Sequence, residues 1–209
     1  MARFLKCFYS VLLAFCLISG SGVAFAQPSV FDRFEEVRAQ AGPEMLGAAE
    51  RAVYDMNIEE GSVFALMLED ELKRMWIDVN KPFLQNDMQQ IMRNTFGDEF
   101  DAAKLESVPD YNVKRIVREV LDSGYTIEDK NGHFYPWPDY AYLIRAYGSK
   151  ISDEVKAYFE LCLADSESVT AKGLSLAEEN EEKAAVILRA EQYLLNYPNS
   201  YRKANVASL

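Results

Sequence analysis

The patterning of this sequence predicts a mainly α fold, an irregular multi-helix bundle with one small β-hairpin at about residues 125–135. Apolar residues recur at the spacing i, i+3, i+4, i+7 through most of the chain beyond residue 30. Between two short β-prone runs stands Asn131-Gly132, a pair whose backbone preferences suit a tight hairpin turn. Of the 209 residues, 49% are hydrophobic, which is enough for a core and too many for a disordered chain.

The elements follow in order. Phe31 to Ala41 and Pro43 to Asn57 read as two short helices broken at Gly42-Pro43, since proline suits a first helical turn. From Ser62 to Asn80, Phe64, Leu68, Leu72, Met75, Trp76 and Val79 fall on one face. Pro82 restarts the chain at a bend, and Phe83, Met88, Ile91 and Met92 continue the apolar side to Gly97. Asp110 is placed to cap a helix reaching Asp122, with Val113, Ile116, Val117, Val120 and Leu121 along one side and Gly124 as its stop. The hairpin comes next: Tyr125 to Glu128, the turn Asp129-Lys130-Asn131-Gly132, then His133 to Tyr135, with Pro136 and Pro138 ending it. Asp139 to Tyr147 reads as a short helix, and Ser152 caps another through Leu163. The last long helix spans Leu176 to Asn196, with Ala184, Ile187, Leu188, Leu194 and Leu195 inward. Its acidic start (Glu178, Glu179, Glu181, Glu182) suits a helix N-terminus.

Residues 1–26 have the make-up of a secretory signal peptide. Arg3 and Lys6 precede an apolar stretch from Cys7 to Ile18, and Ala24-Phe25-Ala26 offers small residues for cleavage after Ala26. That stretch is shorter than the roughly 20 apolar residues a membrane span needs. The expected mature chain, 27–209, is one helical globular domain with a candidate sub-boundary near 107–110. It is not an integral membrane protein, and its place is the periplasm or the exterior. Cleavage takes two of the 22 basic residues and none of the 33 acidic ones, leaving a formal charge of −13. It also takes Cys7 and Cys16, so Cys162 has no partner for an internal disulfide and is expected as a small buried hydrophobe.

Several chemistries drop out. An acidic chain with a pI near 4.7 is a poor partner for nucleic acid, whose phosphates reward clustered Lys and Arg. The single histidine, His133, sits at the turn end of the hairpin, and no nucleophile-elbow motif accompanies it. One histidine and one remaining cysteine make no zinc site, so no metal or other cofactor is expected. The turn at 129–132 fails as a calcium loop. With Gly132 as its sixth position, Ile127 and Pro138 would occupy the first and twelfth, where acids are required. Adjacent acids remain, Glu69-Asp70-Glu71 and the group Asp98, Glu99 and Asp101, and two carboxylates suffice for glycoside hydrolysis. Nothing in the sequence singles one of them out, so no catalytic residue is assigned.

The densest unusual feature is aromatic. Phe134, Tyr135, Trp137, Tyr140, Tyr142 and Tyr147 crowd a stretch interrupted by two prolines. Rings can stack on a ligand or anchor a partner, and they can equally pin an irregular segment to the helices. Tyr135, Trp137, Tyr140 and Tyr142 are the candidate binding residues.

Gly124-Tyr125 through Phe134-Tyr135-Pro136, Asp139-Tyr140 and the run Tyr193 to Ser200 resemble a family of exported bacterial helical proteins of unknown function, over roughly residues 70–205. Ala190 to Ser200, in the pattern A-x-x-Y-L-x-x-Y-P-N-S, is similar to the helix end and turn of tetratricopeptide-like envelope proteins, which are scaffolds for protein partners. No 34-residue period precedes it. The functional expectation is an exported, non-enzymatic bacterial envelope protein that binds another envelope protein or a cell-wall component. The alternative is a carboxylate-based hydrolase acting on cell-wall glycans.

Overall fold

The computed structural model describes residues 28–40, 42–130, 132–170 and 176–208, with side chains over those ranges except 167–170 and 176–179. The expected signal peptide lies outside the described residues, and so do the side chains of Glu178 and Glu179. What is described is mainly helical with a single two-stranded antiparallel hairpin.

Helix α1 (Val30–Arg38) starts at a capping box between Ser29 and Asp32. Helix α2 (Pro43–Val53) begins on proline after Gly42, whose φ of 59° is the conformation glycine adopts without strain. The 23-residue α3 (Ile58–Asn80) is the central rod. It starts earlier than the apolar stripe indicates because Asn57 and Glu60 form a second capping box. Phe64, Ala65, Leu68 and Leu72 on α3 are completely buried. A 3₁₀ turn at Lys81–Leu84 makes the expected bend and leads into α4 (Asn86–Phe96). After a second 3₁₀ turn (Ala102–Ser107), α5 (Tyr111–Asp122) is capped by Asp110, which accepts from the Asn112 and Val113 N–H groups at 2.8 and 3.0 Å. Gly124, at φ 88°, turns the chain into the hairpin against Leu46.

The strands are β1 (Tyr125–Lys130) and β2 (His133–Pro138), paired from Lys130–His133 back to Tyr125–Pro138. The prolines therefore do not end the hairpin as the sequence predicts; both lie within β2. With a two-residue connection, Lys130 and His133 form a hydrogen-bonded pair, and pairs then alternate along the ladder. Pro136 and Pro138 fall at non-bonded pairs, where the N–H that proline lacks is not required. The backbone groups at these positions point away from β1 to other partners. Gln89 clamps Phe134, accepting from its N–H and donating to its carbonyl, both at 2.8 Å.

Beyond the hairpin, Asp139 caps α6 (Tyr140–Tyr147), and α7 (Asp153–Thr170) runs past Leu163, its expected end. Helix α8 (Leu176–Asn196) has the predicted bounds, and Leu194 packs against the core as expected, but the rest of the inward face is a different one. Val186, Ala190 and Tyr193 are buried, whereas Ile187, Leu188 and Leu195 are exposed and Ala184 also faces solvent. The two apolar stripes lie side by side, and Tyr193 decides between them. Its ring meets Tyr158 and Tyr197, and its hydroxyl shares a 2.7 Å hydrogen bond with buried Ser200. Pro198 follows α8, and a last turn, α9 (Lys203–Val206), folds back on the core.

One buried cluster runs from Phe34 to Val206 and draws on both sides of 107–110. Gly61 lets the α6–α7 connection lie directly on α3; a Cβ there would sit 2.1 Å from the Lys150 carbonyl oxygen. Among the described residues no helix is long and apolar enough to cross a membrane.

Candidate functional site

The alternation of the hairpin sorts its side chains into two sets. Tyr125, Ile127, Asp129, Phe134, Pro136 and Pro138 face the protein and are buried. Behind them the hairpin is firmly held. The Phe134 ring lies 6.2 Å from Phe96 and 5.1 Å below the Arg93 guanidinium. Arg93 also pairs with buried Asp129 at 3.0 Å, and Asp129 accepts from the Gly132 N–H at 2.9 Å.

The outward set, Glu128, Lys130, His133, Tyr135 and Trp137, forms the floor of a cleft of about 490 Å³. Trp76 of α3 and Asp165 and Ser166 of α7 complete its walls. That volume is in the range of small-ligand sites. The Trp76 indole N–H donates to the Pro136 carbonyl at 2.6 Å, a bond available because this carbonyl points away from β1. It sets Trp76 perpendicular to Trp137, with ring centroids 6.2 Å apart and planes at 79°. His133 and Tyr135 follow along the same face, 6.3 Å apart. Trp137 keeps 36% of its surface exposed, a large apolar area left open to water. Burial pushes the Asp165 carboxyl above its ordinary range, and the Lys130 charge draws it back in part.

Behind Trp137 lies a buried ion cluster centred on Glu69, whose side chain is wholly inaccessible. Its Oε1 accepts from the Tyr158 and Tyr140 hydroxyls at 2.8 and 3.0 Å and faces the Lys73 ammonium at 2.6 Å. Its Oε2 meets the Arg202 guanidinium as an ion pair at 2.8 Å without hydrogen-bond alignment. Arg202 spans onward to Asp70 at 2.8 Å and donates to the Leu66 carbonyl at 3.0 Å. Burial works against the Arg202 charge, but the Asp70 hydrogen bond and the Glu69 charge outweigh it and hold the guanidinium protonated. Two carboxylates, two cations and two tyrosine hydroxyls thus join α3, α6, α7 and the segment after α8. A 130 Å³ cavity bordered by Lys73, Tyr140, Tyr158 and Cys162 shares Trp137 and Asp165 with the cleft. Burial, with the Glu69 charge, pushes the Cys162 thiol up to about 11.

The four sequence-predicted residues therefore separate. Tyr135 and Trp137 come together in the cleft. Tyr140 is buried with its hydroxyl on Glu69. Tyr142 stands apart, donating to Glu50 at 2.8 Å, and burial together with that bond pushes its hydroxyl up to about 12. Sequence reasoning assigned Trp76 to an apolar helix face and gave no role to Asp165 or Ser166. The available signal for α7 was that Cys162, Asp165 and Ser166 share one side of a helix, with polar residues extending an apolar stripe. Glu69 also had a signal, since it falls on the same side as Ala65, Leu68 and Leu72.

Among the described residues no group of three or more His, Cys, Asp or Glu side chains is arranged to hold a metal ion. No protein-family model, curated protein or solved structure matches the chain.

Proposed function

We propose that this chain is an exported, non-enzymatic binding protein of the bacterial envelope that takes a cell-wall component or a segment of a protein partner into the hairpin cleft. The observation that carries this reading is the placement of the aromatic residues. The chain has two tryptophans, and both border the same open cleft beside Tyr135 and His133. Indole surface left exposed on a rigid backing is costly in water unless something covers it, and such rings dominate the energetics of interfaces. Export rests on the signal-peptide pattern of residues 1–26. The test is capture from envelope fractions by wild type and by the double variant Y135A/W137A. Loss of capture with an unchanged far-UV helix signal supports the reading, and equal capture removes the cleft from it.

The hydrolase alternative has one specific observation in its favour: Glu128 and Asp165 border the same cleft, and burial raises Asp165. Two carboxyl groups bordering one cleft are the pairing that glycoside cleavage uses. Incubation of the purified protein with peptidoglycan decides it. Fragments released by wild type and not by Asp165→Asn favour the hydrolase, and no release between about pH 4 and 8 leaves the binding reading.

A further inference from the structure

We propose that the cleft binds a proline-rich segment of a protein partner, held as a polyproline II helix against the tryptophan corner. The inference rests on the cleft being the binding site and adds the class of its ligand. Among the described residues nothing bonds the Trp137 indole N–H, the Tyr135 hydroxyl or the His133 imidazole. Trp76 differs, since its N–H is spent on the Pro136 carbonyl and it offers only its ring. Glu128, Asp165 and Ser166 of the same lining have interactions of their own. The uncommitted groups are therefore two N–H and one hydroxyl along β2, all able to donate. A proline-rich chain matches them, because each proline presents a carbonyl acceptor and no N–H in need of a partner.

The shape of the site agrees with that choice. Trp76 and Trp137 stand 6.2 Å apart at 79°, so they form a corner and not a flat platform. A sugar ring stacks best on a platform. A polyproline II helix, with three residues per turn, has a triangular cross-section whose edge enters a corner. His133, Tyr135 and Trp137 alternate along one strand, so their rings stand as ridges about 7 Å apart, with furrows between them for proline rings. Proline-rich segments dock in aromatic-lined grooves of this kind, and little ordering entropy is lost because the helix is preformed. The other common way to hold an extended peptide, adding it as a strand, is closed at β2. Gln89 occupies both backbone groups of Phe134, Pro136 has no N–H, and the Pro136 carbonyl is taken by Trp76. Recognition at this strand therefore falls to the side chains of its outer face.

Because both tryptophans border the cleft, indole fluorescence of the mature chain reports directly on its occupation. End-blocked decaproline, a glycine–serine peptide of the same length and a neutral N-acetylglucosamine trimer are titrated separately, with calorimetry as a second readout. Decaproline is expected to saturate below about 1 mM and to bind roughly tenfold or more tightly than the glycine–serine peptide. Trp137→Phe and Tyr135→Phe each keep a ring and remove one donor. Calorimetry is expected to show decaproline weakened about three- to tenfold in either variant, and unchanged in Tyr111→Phe outside the cleft. Saturation by the trimer without decaproline binding overturns the proline-rich assignment and leaves the cleft reading intact. Equal binding of the glycine–serine peptide, or unchanged decaproline affinity in both cleft variants, overturns it as well. If no probe binds, the proline-rich assignment fails, and partner capture by Y135A/W137A then decides the cleft reading separately.

Discussion

Replacing Arg202 by methionine keeps the length of the side chain and removes its charge from the cluster around Glu69. The guanidinium side chain is 13% exposed and faces a carboxylate that is 0% exposed. Breaking a buried pair by deleting one partner costs about 3–5 kcal/mol, because the other charge stays buried. Here Lys73 still faces Glu69 at 2.6 Å, and Tyr140 and Tyr158 still donate to it. The loss is therefore placed below that range, at about 2–3 kcal/mol including the bond to the Leu66 carbonyl. For a domain of this size that corresponds to a fall in Tm of roughly 4–12 °C. Urea and thermal unfolding of wild type, Arg202→Met, Glu69→Gln and the double variant form the cycle that isolates the coupling. A loss under about 1 kcal/mol in Arg202→Met, the size expected of an exposed pair, would refute the view that this cluster holds the last segment to the core.

Gly61→Ala is expected to destabilise the protein by about 2 kcal/mol or more although alanine favours helix, since a Cβ would lie 2.1 Å from backbone at Lys150; urea unfolding checks it, and a stabilised variant would contradict the close approach. Cys162, with its thiol pushed up to about 11, is expected to be inert to a thiol reagent near neutral pH and to react fully once the protein is unfolded; rapid labelling of native protein would contradict the buried position. The Glu71 carboxyl is held below its ordinary range chiefly by its hydrogen bond from Arg74, against the opposing effect of burial, with the Arg74 and Arg38 charges assisting. Its contribution is present above the unfolded-state pKa and is lost as pH falls through the lower folded one. Stability measured from about pH 5 down to 3 should therefore fall less steeply in Glu71→Gln than in wild type, and parallel curves would remove Glu71 from the acid response.

Local rules carried the legible part of the fold. The hairpin, the Asp110 cap and the bounds of α8 each depend on residues within a few positions of one another, and the structure has all three. The strand through Pro136 and Pro138 could not be read from proline alone. Whether a missing N–H matters depends on the register, which the turn sets several residues away. The inward face of α8 was ambiguous for a similar reason. Val186 and Ile187 are neighbours on adjoining stripes, and the contact of Tyr193 with Tyr158 and Ser200 selects one of them. At the site, Tyr135 and Trp137 were visible as a dense aromatic run. Trp76 and Asp165 reach the same cleft from α3 and α7, far away in the chain. Glu69 was hidden among 33 acids, and the groups that distinguish it come from positions 73, 140, 158 and 202.

The claim that the outer face of the hairpin is the working surface is tested most directly by a photo-crosslinking residue at position 135 in living cells. The control carries the same group at Tyr111, an exposed position on α5 outside the cleft. The account predicts a recurrent adduct from position 135, with an envelope component that is absent from the control and disappears in Trp137→Ala. Equal labelling from both positions, or an adduct indifferent to Trp137, would contradict it.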